Sequence, residues 1–158
     1  DRSGAKDTEV TGGETEVNFV RDTEDNKRKN QEHERILDIV EDALTVGGFT
    51  VEETEYSDLI ATRNDTHLLA EAKYIHDDNE RDQVRYAIGQ LAEYRYRDFR
   101  LDTLNKDPIR FLVLSQRPTD GYARFLKDLQ SDGIYTVWVD DETIKGLSEA
   151  VKVFSDLL

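Results

Sequence analysis

Cysteine is absent from the 158 residues, which excludes disulfides, thiolate metal sites and cysteine nucleophiles together. Long apolar runs are absent too. None approaches the roughly 20 residues of a membrane span, and no signal-peptide core is visible. A soluble, cytoplasmic domain without a membrane partner is therefore expected, of a length that suits one hydrophobic core. Positive charge is scarce: 21 Lys and Arg stand against 35 Asp and Glu, a net charge of -14. On its face this argues against a polyanionic partner, because proteins that grip phosphates usually carry a basic field.

Salt changes that inference. Acids occur in every segment, arginines outnumber lysines and large aliphatics are few, a pattern similar to proteins of salt-loving, halophilic organisms. At 1 M salt the Debye length is about 3 Å, so a diffuse negative surface scarcely repels a distant polyanion. The acidity is read as halophilic, with an acidic partner-binding surface as the alternative.

Residues 1–24, rich in Gly, Thr, Asp and Glu, read as a flexible acidic tail or linker in which only "VNFV" at 17–20 has strand character. The main domain is expected over 25–158. A helix is predicted from about Asn26 to Val46, with Ile36, Val40 and Leu44 at four-residue steps and Gly47-Gly48 as its stop. Strands follow near 49–55, 58–62 and 67–74, the last two joined by "RNDT". A second helix is predicted over 79–97. The run "IRFLVLS" at 109–115 has the continuous apolarity of a central strand. A helix near 121–130, the strand "YTVWV" and a helix from about Asp141 complete the chain. This order describes an α/β fold, a mixed sheet with helices on both faces.

Within the third strand, Glu71 and Lys73 share one face while Ala70, Ala72 and Tyr74 share the other, because side chains alternate. A hairpin would bring Asp58 beside them. Two carboxylates at one spot repel unless a cation lies between them, and hard oxygen ligands suit Mg²⁺ or Mn²⁺. A lysine beside such a cation can orient or deprotonate an attacking water. These parts suit phosphodiester hydrolysis.

The constellation resembles the PD-(D/E)XK nuclease superfamily, whose motif is an acid, a variable hairpin and then (Asp/Glu)-X-Lys. Ser57-Asp58 stands where the family often has Pro-Asp, and Glu71-Ala72-Lys73 supplies the second half. "GQLAEY" at 89–94 is similar to the Gln-X-X-X-Tyr motif of the RecB-like branch. Gln83, Gln90 and Tyr94 project within about 40° of one another on a helix turning 100° per residue. The resemblance implies a restriction-endonuclease-like core of order α-β-β-β-α-β, followed by α-β-α. It also implies Mg-dependent hydrolysis of DNA: Asp58, Glu71 and the Ala72 carbonyl bind the metal, Lys73 orients water, and Gln90 positions water or phosphate. Gln83, Tyr94 and Arg85 are assigned to substrate contact.

For the acid on the first helix, Glu32, Glu34 and Glu41 all qualify. "ERIL" at 34–37, similar to the Glu-Arg start of archaeal junction resolvases, selects Glu34. The chain begins Asp1-Arg2-Ser3 rather than at methionine, so a piece of a larger archaeal protein of DNA restriction, defence or repair is expected. Two alternatives stay open: a catalytically silent domain of the same fold serving as an acidic protein-binding scaffold, and a dimeric Holliday junction resolvase.

Blander readings stand beside these. Glu71 and Lys73 can form an exposed pair on an edge strand, and His33 is read as a core or capping histidine. "YRYRDFR" at 94–100 is either a contact for phosphates and bases or the snorkelling end of a helix. Asp77-Asp78 reads as a solvated loop, Asp140-Asp141 as a helix N-terminus, and Trp138 as core.

Overall fold

The computed structural model describes the backbone of residues 12–100 and 107–158, with side chains described for 27–99 and 107–158. Two compact units divide between Glu32 and His33. Helix α1 runs Gly12–Val46, and its residues 12–32 are the described part of the first unit. The helix therefore starts well before Asn26, and Val17–Val20 is helical rather than a strand. No proline or glycine interrupts residues 14–46, so once α1 starts nothing in the backbone stops it. Residues 1–11 of the expected tail lie outside the described residues.

In the second unit α1 buries Ile36, Leu37, Val40 and Leu44, the expected four-residue stripe. It ends in a Schellman motif: the Phe49 N–H donates to the Leu44 carbonyl at 2.9 Å and the Gly48 N–H to Thr45 at 3.0 Å. Gly48 has φ +90°, a left-handed conformation that glycine adopts without penalty.

Among the described residues six strands follow: β1 Thr50–Glu52, β2 Leu59–Arg63, β3 Thr66–Lys73, β4 Ile109–Leu114, β5 Ile134–Asp140 and β6 Thr143–Gly146. They lie side by side in chain order. β1, β2 and β3 pair antiparallel, β3, β4 and β5 parallel, and β5 and β6 antiparallel. Helix α2, Glu80–Arg95, runs into a π-helical turn at Tyr96–Arg100, while α3 is Asp120–Leu129 and α4 is Ser148–Leu157. The expected order α-β-β-β-α-β is present, in a mixed α/β sheet with helices on both faces.

A further departure lies near the C-terminal end. Asp140-Asp141 does not start a helix; it turns a hairpin into β6. The register pairs Asp140 with Thr143, and Asp141 takes φ +58°, a conformation that short polar side chains tolerate. The β-branched Thr143 and Ile144 then continue as a strand, and α4 waits until Ser148. The first strand is also shorter than expected.

Strand alternation divides the core in two. On one face α1 and α4 cover Leu59, Ala61, Leu68, Ala70, Ala72, Phe111, Val113, Val137 and Val139. On the other, α2 and α3 place Val84, Ala87, Leu91 and Leu126 over Ile60, Leu69, Leu112, Leu114 and Trp138. Glu71 and Lys73 share the parity of Leu69 and so belong to this second face. Among the described residues no helix is long and apolar enough to cross a membrane.

Candidate active site

The β2–β3 hairpin sets the geometry. A two-residue loop with Asn64 at φ +53° joins Arg63 to Thr66, and the last β2–β3 pair is Leu59 with Ala70. One step further, Asp58 and Glu71 clasp each other through main chain. The Asp58 N–H donates to Glu71 Oε2 at 2.8 Å, and the Ala72 N–H donates to Asp58 Oδ2 at 2.9 Å. Each carboxylate thus accepts a main-chain N–H from the other strand.

Glu71 is 1% exposed, in a central strand between β2 and β4. That corrects the reading of Glu71 and Lys73 as an exposed pair on an edge strand. Burial, with the charge of Asp58, pushes the Glu71 carboxyl up to about 8. Burial also works against the Asp58 charge, but the His33 hydrogen bond, the Ala72 N–H and the charges of His33 and Lys73 outweigh it, holding Asp58 below its ordinary value. The two acids are driven apart as a like-charge pair is. Lys73, half-buried, is lowered by burial, and the charges of Glu71 and Asp58 counter this only in part.

His33 is the residue that sequence reasoning placed in the core or at a cap. Its Nε2 lies 3.0 Å from Asp58 Oδ2, and that hydrogen bond raises its pKa in spite of burial. Glu34 is largely exposed, with Oε1 3.9 Å from His33 Nδ1; Glu41 is exposed as well. The signal for His33 was available: it lies three residues before Ile36 and seven before Val40, near the buried stripe.

On α2, Gln90 Nε2 donates to the Tyr94 hydroxyl at 3.0 Å, and Gln90 Oε1 is buried with no hydrogen-bond partner. The two residues of the Gln-X-X-X-Tyr pattern are therefore bonded to each other. Tyr86, one turn before Gln90, places its ring centroid 5.0 Å from Lys73 Nζ. Sequence reasoning missed Tyr86, although its four-residue spacing from Gln90 marks the same helix face. Gln83 is half-buried and Arg85 exposed; the Gln83 N–H caps onto the Asn79 carbonyl at 3.0 Å. The structure thus brings together Asp58, Glu71, Lys73 and His33, and sets Tyr86 against Lys73.

Among the described residues no three His, Cys, Asp or Glu side chains converge as a ready-made cation cage. The donor set here is two carboxylates plus main chain. A residue's N–H and C=O point to the same side of a strand, so the Ala72 carbonyl shares the side on which its N–H meets Asp58. It also lies beyond the last β2–β3 pair. Two acids with one carbonyl form an oxygen-rich set suited to a hard divalent cation.

No family model and no curated protein matches the chain. Among solved structures it is similar to the crystal structure of an XisH family protein from Nostoc punctiforme. That similarity has 16% identity and a TM-score of 0.47, and covers 69% of this chain and 94% of that one.

Proposed function

We propose that this chain is a divalent-metal-dependent nuclease domain of the PD-(D/E)XK type that hydrolyses DNA phosphodiesters. The observation that carries this reading is the reciprocal clasp of Asp58 and Glu71, with Lys73 half-buried two residues on, on the same strand face. A buried carboxyl beside a half-buried acid and a lysine is expensive to keep unless it does chemistry.

Asp58, Glu71 and the Ala72 carbonyl would hold Mg²⁺, or Mn²⁺ in its place, whose chemistry is to offset charge building on the phosphate oxygens. Lys73, its proton loosened by burial, orients the water whose oxygen attacks phosphorus as the bond to the leaving oxygen breaks. Gln90 Oε1, buried without a partner, accepts a hydrogen bond from a water at the site. Tyr94 fixes the Gln90 amide from its other end. His33 holds Asp58 in orientation through Oδ2.

A second reading has its own observation. His33 already occupies the Asp58 oxygen nearest Ala72, and this favours a silent scaffold domain in which the histidine compensates Asp58 without metal. Mn²⁺ titration calorimetry with a cleavage assay separates the two. The nuclease reading expects Mn²⁺ binding and cleavage that Asp58→Ala and Glu71→Ala each abolish while the fold persists. Unchanged affinity in both variants, or a parent chain that binds no Mn²⁺, sinks it.

A further inference from the structure

Beside the acid–lysine cluster the surface carries tyrosines paired with cations. Among the described residues Tyr56 is 40% and Tyr86 65% exposed, so both rings are open to solvent. Each is backed by a cation: Lys73 Nζ lies 5.0 Å from the Tyr86 centroid, and Arg97 Cζ lies 5.3 Å from that of Tyr56. The Tyr56 and Tyr94 centroids are 6.1 Å apart. Tyr86, Gln90 and Tyr94 follow one another at four-residue steps along α2, and Tyr56 precedes Asp58 by two residues. The rings therefore line the approach to Asp58 and Lys73.

The segment carrying Tyr56 is held in place. Thr54 Oγ1 accepts the N–H groups of Tyr56 at 3.2 Å and Ser57 at 2.9 Å. Asp98, in the π turn after α2, accepts from Thr54 Oγ1 at 3.3 Å and from Ser57 Oγ. One carboxylate thus ties the Tyr56 segment to the end of the helix that carries Tyr94, and rings pre-arranged in this way lose little freedom on binding.

We propose that the substrate is an unpaired DNA strand whose bases stack on Tyr56 and Tyr86; this rests on the nuclease reading above. A chain of net charge -14 has little field with which to hold phosphates, and phosphate contacts weaken steeply as salt rises. Stacking on aromatic rings needs no net charge and tolerates any sequence. It requires an open base face, which a duplex hides between neighbouring pairs and an unpaired strand presents. Lys73 and Arg97 behind the rings add cation–π attraction.

The test is fluorescence anisotropy of the full chain in EDTA with three labelled ligands: a short DNA strand, the same sequence as a duplex, and an abasic strand of equal length. The strand is expected to bind more tightly than either of the others, with little loss between low and molar KCl. Tyr56→Ala and Tyr86→Ala should each weaken strand binding about 5- to 100-fold and leave the abasic strand unaffected, whereas the two Phe variants retain binding. Equal affinity for strand and duplex, or for strand and abasic strand, overturns the proposal. Mn²⁺ cleavage reads the underlying function separately. A duplex cut as readily as the strand overturns unpaired-strand selection and leaves the nuclease reading standing. A strand bound through the tyrosines but never cut leaves the stacking surface and removes the nuclease reading.

Discussion

The two faces of β3 are built from alternate residues of one strand and do opposite things. Leu68, Ala70 and Ala72 face α1 and α4 and are buried among apolar neighbours. Leu69, Glu71 and Lys73 face the other way, where a carboxylate as buried as any leucine lies beside a half-buried ammonium. The first face gains stability from each group removed from water, at about 25 cal/mol per Å². The second gives some of that up, since a buried acid near another acid opposes folding unless something compensates it. A difference of one residue in register separates packing from chemistry.

The sharpest way to break this comparison is to move the carboxylate by one position. Ala70→Glu puts an unpaired acid into the α1–α4 core, where no clasp awaits it, and is expected to cost several kcal/mol, roughly the penalty of an uncompensated buried charge. Glu71→Ala, on the next residue, should leave the melting temperature in EDTA unchanged or higher above about pH 8, where the Glu71 carboxyl is ionised, because a like-charge neighbour of Asp58 is then removed. Thermal denaturation followed by circular dichroism reads both. Equal destabilisation by the two changes would show that β3 has no functional face.

Gln90→Ala touches the second face without touching the acids. Turnover should fall about 10²- to 10⁴-fold, the range for a group that positions water or a proton, with Mn²⁺ affinity nearly kept. Tyr94→Phe, which removes only the hydroxyl that Gln90 Nε2 reaches, should cost much less. A Gln90→Ala enzyme as active as its parent would confine the chemistry to Asp58, Glu71 and Lys73.

The smallest effect is one of pH on the metal-free protein. The Glu71 carboxyl is raised from about 4.5 to about 8 in the folded state, so its contribution is fully present below about pH 4.5 and is lost as pH rises through about 8. His33, also raised, adds a fall above its ordinary value of 6.5. Asp58, lowered, acts only in acid, below its ordinary 3.8. The melting temperature in EDTA should therefore decline between pH 5 and 8, and Glu71→Gln should remove the part of that decline below pH 6.5. A flat parent profile would mean that Glu71 is ionised at no cost, and the contrast between the faces would lose its electrostatic basis.

Much of this was legible along the chain because it depends on local periodicity. The Ile36–Val40–Leu44 stripe, the Gly47-Gly48 stop, the Asn64-Asp65 turn and the apolar run of β4 each report their own conformation through spacing and side-chain type. So does the parity that puts Glu71 and Lys73 on one face. What the sequence hid was contact between distant residues. β6 was missed because Asp140-Asp141 suits a helix start and a left-handed turn equally well, and pairing with β5 decides between them. His33 was passed over because its partner, Asp58, lies 25 residues away, and Tyr86 because its cation comes from another element.

By itself, then, the sequence determined most of the elements, their order and the face on which the acids stand, since these follow from two backbone periods and a few turn residues. Only the tertiary structure decided which charges compensate one another. Burial of Glu71 is set by β4 and α2, the orientation of Asp58 by His33 and the Ala72 N–H, and the setting of Tyr56 by Asp98. Electrostatic energies of this kind depend on distance and solvent exclusion, and neither is written in the spacing of residues along a chain.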